Sequence, residues 1–360
     1  IAHRASLPSW QGGIILIAAF CTPLIFYSLT FWEMTPAIAL STMAIFLIIR
    51  QRLHRNRLLH YFTGGLLLGL SAVLREEAYF LIAAITVSLL IMKVPLRRIF
   101  YLLFGFAVII LPLWGFQLAR YGHFLGMHGA GYHSHNAPGL STLDIILRQL
   151  GGYWIYLFKF NSWDIGTQWY YFLLAVPFIL VIVVGIFCRE YRIRFDHARQ
   201  YIIFAVCFAT TALTAGIFSQ KHDVRNCIFM VGLFPAIPFL VYLFIGLRPF
   251  LKWTTHRARF MLMVSLIYIV MLCPLLTQTD FGLIWGPRHF LILLPMLIPL
   301  STGAVRGMTW NCELFGLRQF YRAGFLFLCL LGMILQGRGI YTLALFKNNV
   351  AKLNDSITKR

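Results

Sequence analysis

Long apolar runs separated by short charged loops make up most of this chain. They fall at 12–29, 35–50, 58–74, 78–92, 99–118, 170–187, 201–219, 227–247, 261–277, 289–305 and 323–342. A helix crossing a bilayer needs roughly 20 mostly apolar residues, and these runs reach or approach that length. The pattern predicts an all-α, polytopic transmembrane helical bundle of about eleven spans. One connection stands apart. Residues 119–169 form a loop of about fifty residues, rich in Gly, His, Tyr and Trp. Within it, Ser141-Thr-Leu-Asp144 has the form of a capping box that opens a helix. Ile145, Ile146, Leu150, Trp154 and Leu157 would then share an apolar face, suited to the bilayer surface or to packing on the bundle. Residues 1–342 read as one transmembrane domain and 343–360 as the start of a polar tail. No internal repeat is visible, and neither are the inverted halves typical of many secondary transporters.

Composition agrees with a membrane setting. Of 360 residues, 60% are hydrophobic and 12% charged, with a mean hydropathy of +0.78. Soluble domains carry about 25% charge, so a soluble globule is excluded. The net charge of +20 changes meaning once its distribution is followed. Eighteen of the 31 Lys and Arg residues sit in alternate loops, around Arg50–Arg57, Lys93–Arg98, Arg189–Arg199, Arg248–Arg259 and Arg306–Arg322. Those loops are assigned to the cytoplasm by the positive-inside bias, and their basicity suits anionic lipid rather than nucleic acid. Eight of the eleven carboxylates fall on the opposite side, namely Glu33, Glu76, Glu77, Asp144, Asp164, Asp223, Asp280 and Asp355. The expected location is a multi-pass inner (plasma) membrane protein whose working face looks to the periplasm or exterior. Its seven cysteines include no CxxC pair, and Cys21, Cys207, Cys273 and Cys329 fall inside spans as small apolar side chains. The chain opens Ile-Ala-His-Arg and ends in a polar run, which suggests part of a longer protein.

Five places on the outer side carry chemistry. Glu33, after Phe31-Trp32, offers a base or a metal ligand at the membrane face, or simply a solvated acid beside an interfacial Trp. Arg75-Glu76-Glu77 is a tight charged turn in which Arg75 suits bidentate contact with phosphate and an acid orients it. A salt-bridged hairpin is the bland reading, set against the cost of three charges at a membrane boundary. Lys221, His222, Asp223 and Arg225 put four ionisable groups in five positions, fit for anion binding and acid–base work or for a hydrophilic turn. In Ile284-Trp-Gly-Pro-Arg-His289, Gly286 permits close approach, Pro287 stiffens the entry, and Arg288 lies at the level of a lipid phosphate. His123, His128, His133 and His135, with Tyr132, form a histidine series whose spacing matches no standard zinc site.

These pieces in this order resemble the GT-C superfamily of membrane glycosyltransferases, in the bacterial branch near protein O-mannosyltransferases and lipid A aminoarabinose transferases. The resemblance rests on Tyr27-Ser-Leu-Thr-Phe-Trp-Glu33, on Gly64-Gly-Leu-Leu-Leu-Gly-Leu70 running into Arg75-Glu-Glu77, and on Trp285-Gly-Pro-Arg-His-Phe-Leu-Ile-Leu-Leu-Pro295. Gln336-Gly-Arg-Gly-Ile340 is a weaker match. What it implies is inverting transfer of a sugar from a polyprenyl-phosphate donor to a lipid, glycan or protein acceptor on the non-cytoplasmic face. Arg75, Arg225, Arg288 and Lys221 are then the expected phosphate-binding cations, and His222, Asp223 and Arg120 the acceptor or loop residues. The family's principal Asp lies in a first outer loop that this chain does not contain, so Glu33, Glu76 and Glu77 are expected in support of an Asp upstream of Ile1. No cofactor is required by the resemblance, and a divalent metal stays open.

Other classes remain in view. A polyprenyl-linked glycan flippase or polymerase would share Arg-rich outer loops, and a scaffold in a glycan-assembly complex would need none of the chemistry. A secondary transporter would place ionisable groups near the midplane, where this chain is almost purely apolar, although Ser71, Gln117 and Thr210-Thr211 suit a neutral solute.

Overall fold

A computed structural model describes residues 8–29, 33–50, 57–124, 157, 232–243, 256–272, 288–310 and 315–358. The described residues are helical, with no strand among them. The order is α1 (Pro8–Phe20), α2 (Leu24–Leu29), α3 (Met34–Ile49), α4 (Arg57–Leu74), α5 (Glu77–Ile91) and α6 (Leu96–Tyr121). A short broken stretch follows, comprising one helical turn at Leu233–Ala236 and a 3-10 turn at Pro238–Leu240. The chain continues with α7 (His256–Leu272), a 3-10 segment Arg288–Leu293 leading directly into α8 (Leu294–Trp310), and α9 (Phe315–Thr358). Among the described residues, three stretches are long and apolar enough to cross a membrane: Leu96–Tyr121, Arg288–Thr309 and Tyr321–Tyr341. The expected runs at 170–187 and 201–219, and all but the first residues and Leu157 of the 119–169 loop, lie outside the described residues.

Two expected elements differ from the structure. The run 12–29 is two helices rather than one, because Pro23 lacks an N–H and cannot continue the ladder. Thr22 occupies the break, donating its hydroxyl to the Ala18 carbonyl at 2.6 Å. The last helix also fails to stop where its apolar run ends. α9 continues without interruption through Thr358, so the stretch read as a polar tail is helical over most of its length.

α4 packs against α3 on one side and, most closely, against α6 on the other. The α4–α6 contact is backbone on backbone. A Cβ built on Gly65 would lie 2.0 Å from the Leu102 carbonyl oxygen, and one on Gly105 would lie 2.2 Å from that of Phe62. A Cβ on Gly69, one turn beyond Gly65, would meet the Ile109 side chain at 2.8 Å. In hydrocarbon, where apolar contact alone gives no preference for protein over lipid, such close approach supplies the van der Waals attraction that holds helices together. A hydrogen bond fixes the other side of α4, with Ser41 and Ser71 hydroxyls 2.8 Å apart and Ser71 also donating to the Ala37 carbonyl at 3.0 Å. The outward face of α6 carries exposed Leu96, Phe100, Phe104, Leu111 and Phe116, the composition expected of a surface meeting lipid tails.

The broken stretch 232–243 is almost wholly buried, including Phe239, Leu240 and Tyr242. Its prolines interrupt the regular helical ladder. Side chains of later helices bond its carbonyls: Gln336 of α9 donates to that of Ala236 at 3.0 Å, and Ser301 of α8 donates at 2.9 Å to that of Phe239, which also accepts the Val241 N–H. Tyr242 in turn donates to the Tyr321 carbonyl at 2.9 Å. Irregular backbone inside the bundle is tolerable because protein groups supply each bond that water would otherwise make.

Candidate functional site

The helix connections bring three separated sequence stretches to one end of the bundle. Glu33 immediately precedes α3, Arg75 and Glu76 form the two-residue link from α4 to α5, Glu77 opens α5, and Arg288 opens the 3-10 segment. The link is tight. Arg75 N–H bonds to the Ser71 carbonyl at 2.8 Å, and the Ala78 N–H bonds back to that of Arg75 at 3.1 Å. That geometry sets the Arg75 and Glu77 side chains beside each other, with Glu77 in the first turn of a helix, where the backbone dipole favours a carboxylate.

Arg75 is saturated with acids. Its Nε and Nη2 donate to the two Glu77 carboxylate oxygens at 3.0 and 2.5 Å, a fork-on-fork pair, while Nη1 donates to Glu33 Oε1 at 2.8 Å. The Glu77 leg is buried, with side-chain exposures of 15% for Arg75 and 9% for Glu77, whereas Glu33 is 45% exposed. His289 completes the set. Its Nδ1 lies 2.5 Å from Glu77 Oε1, and Arg288 Nε donates to its Nε2 at 3.3 Å. Tyr268 of α7 holds the His289 peptide through a 2.6 Å bond to its carbonyl and packs its ring edge-on to Phe290. The result is a continuous line of contacts, Glu33–Arg75–Glu77–His289–Arg288, linking α3, the α4–α5 turn and the entry to α8.

Electrostatics follow from burial and partners. Burial alone would raise the Glu77 carboxyl, but the hydrogen bond of His289 and the attraction of its ring when protonated, and then the Arg75 guanidinium, outweigh it and hold the acid well below its usual range. Burial likewise acts to lower Arg75, and its two carboxylates reverse that and raise it, so it stays cationic. Glu77 is therefore a fixed anion, with its proton-accepting capacity already committed to two donors. Of the three acids at this junction, Glu33 is the most exposed, and Glu76 is half-buried in the turn.

The site thus joins four of the expected residues, Glu33, Arg75, Glu77 and Arg288, with Glu76 in the same turn. Arg120 stands exposed in the last turn of α6, outside this line of contacts. Arg225, Lys221, His222 and Asp223 lie outside the described residues, as do His128, Tyr132, His133 and His135. No group of three or more His, Cys, Asp or Glu among the described residues is placed to hold a metal ion. His289 had no distinguishing signal beyond its place next to Arg288 in the Trp-Gly-Pro-Arg-His stretch. A single histidine at the head of an apolar run has no spacing that marks a partner, and its partner Glu77 is 212 residues away.

No protein family, curated protein or solved structure matches the chain.

Proposed function

We propose that the chain is the membrane-embedded part of a GT-C-type glycosyltransferase, taking a sugar from a polyprenyl-phosphate donor at the non-cytoplasmic face of the inner (plasma) membrane. The reading carries with it a multi-pass topology of about eleven spans and an outer loop at 119–169 above the site. The observation that supports it is the junction of Glu33, Arg75, Glu77 and Arg288-His289, because the three stretches carrying the resemblance meet at one helix-end surface although 42 and 212 residues separate their paired members.

The chemistry is one displacement. An acceptor hydroxyl attacks the anomeric carbon from the face opposite the phosphate, its proton passes to a carboxylate, and the bond from carbon to phosphate oxygen breaks to release polyprenyl phosphate. The leaving phosphate gains negative charge as that bond breaks, so a cation set in advance accelerates the step. Arg288 is the leading candidate, since it opens the segment that joins the line of contacts through His289. Arg225 and Lys221 are further candidates, while Arg75 chiefly holds Glu77 and Glu33 in place. Glu33, the most exposed acid of the junction, and Glu76 in the adjoining turn are the candidates to take the proton.

The test uses the full gene product in proteoliposomes with labelled polyprenyl-phosphate sugars and a panel of lipid and glycan acceptors. Transfer of label to an acceptor, lost in Arg288→Ala together with donor binding, is the expected result. Movement of the intact polyprenyl-linked sugar across the bilayer without transfer would replace this reading with a flippase, and unchanged donor binding in Arg288→Ala would remove the phosphate assignment.

A further inference from the structure

Arg288 and His289 are neighbours in the chain, and the bond between their side chains fixes a proton. A guanidinium has five N–H donors and no acceptor, so in the 3.3 Å contact Arg288 Nε must donate and His289 Nε2 must accept. The imidazole proton is therefore on Nδ1, donated to Glu77 Oε1 at 2.5 Å. Both ring nitrogens are committed, and the ring is held neutral by a cation on one side and an anion on the other. A second proton, placed on Nε2, removes the acceptor that Arg288 uses and sets two cations edge to edge. An anion resolves that conflict, because it accepts from Nε2–H and from the guanidinium together.

We propose that a phosphate group binding at Arg288 is taken up together with one proton on His289 Nε2, so that the two side chains close on it as a doubly cationic clamp. This rests on the polyprenyl-phosphate reading above. It adds that the site senses protons and that His289 is a phosphate-binding residue.

The surrounding charges favour the coupling. Among the described residues, His289 faces Arg288 on its own segment and Glu77 from α5, and Glu77 is held by Arg75 of the α4–α5 turn. Glu76 lies in that turn, Glu33 ahead of α3 takes the third arm of Arg75, and Tyr268 of α7 presents its hydroxyl to the His289 carbonyl. Glu77, kept ionised by its contacts, is placed to stabilise an imidazolium through the Nδ1 bond it already makes.

The experiment uses the full gene product in lipid nanodiscs and a polyprenyl methyl phosphate, a diester that stays singly charged from mildly acidic to mildly alkaline pH. Any pH dependence of its affinity then belongs to the protein. With one proton taken up per ligand, affinity weakens about tenfold per pH unit above the imidazole pKa. In His289→Gln, which preserves a donor toward Glu77, that slope vanishes and affinity stays near the wild-type alkaline value. Calorimetry of the wild type in two buffers of different ionisation heat gives an independent reading, with close to one proton absorbed per ligand expected at pH values above the imidazole pKa. A flat wild-type profile, or a slope that survives in His289→Gln, overturns the proton coupling while leaving the phosphate site intact. Failure of the diester to bind at any pH overturns the phosphate reading, and the coupling falls with it.

Discussion

Removing the Arg75 side chain separates the buried and exposed legs of its ion pairs. In Arg75→Ala the Glu77 carboxylate, 9% exposed, loses two charge-assisted hydrogen bonds and keeps only His289. Stripping one partner from a buried pair costs about 3–5 kcal/mol, because the remaining charge stays desolvated without its counter-ion. The surviving His289 bond places this case near the lower figure. Glu33→Gln removes only the leg whose acid is 45% exposed, and such pairs contribute about 0–1 kcal/mol. The combination Arg75→Ala with Glu77→Gln should recover part of the loss, since an amide without a partner costs about 1–3 kcal/mol and carries no charge to strand. Unfolding in mixed micelles with increasing SDS, followed by far-UV circular dichroism, measures all three variants on one scale. The argument is refuted if Arg75→Ala lies within about 1 kcal/mol of wild type, or if the double substitution is less stable than the single one.

Further outcomes follow from the same contacts. Because Glu77 is held below its ordinary value near 4.5, the folded state binds its proton less readily than the unfolded state does. Its stabilising contribution is therefore complete above that value and is lost as pH falls below it, so a pH titration of stability should show an acid limb that Glu77→Gln flattens. Gly65→Ala would drive a methyl group into the Leu102 carbonyl 2.0 Å away, and loss of about 1–3 kcal/mol or more is expected in the same unfolding assay. Gly115→Ala, with nothing within 4 Å of the added carbon, should instead be neutral or stabilise by up to about 1 kcal/mol. Gln336→Leu leaves the Ala236 carbonyl unpaired inside the bundle and should cost about 1–3 kcal/mol.

The helices most legible in the sequence were those whose apolar run ends at a charged or proline-bearing loop. Residues 78–92 and 99–118 coincide closely with α5 and α6, since Arg75 to Glu77 and Lys93 to Pro95 interrupt hydrophobicity on both sides. The run 12–29 was misread as unbroken because hydropathy averages over Pro23, which adds no charge while removing a hydrogen-bond donor. Residues 227–247 hid their break for the same reason, with Pro235 and Pro238 sitting among strongly apolar neighbours. The far end of α9 was invisible for the opposite reason, as polar residues signal departure from the membrane and say nothing against a helix. At the site, three charges in a row betrayed the Arg75–Glu77 turn. Their pairing with Glu33 and His289 depends on how α3, α5 and α8 assemble, which no local pattern records.

The buried stretch 232–243 also sets an order on how the protein can be made. Its Ala236 carbonyl is bonded by a side chain 100 positions later, and its Phe239 carbonyl gains a second bond from one 62 positions later. At a synthesis rate of about 5–20 residues per second, those partners emerge roughly 3–20 seconds after the groups that need them. During that interval the stretch cannot rest alone in hydrocarbon. It must wait in the insertion channel, beside an assisting protein or at the wet membrane surface, and dock only as α8 and then α9 arrive. Final assembly of this bundle is thus tied to completion of its last helix.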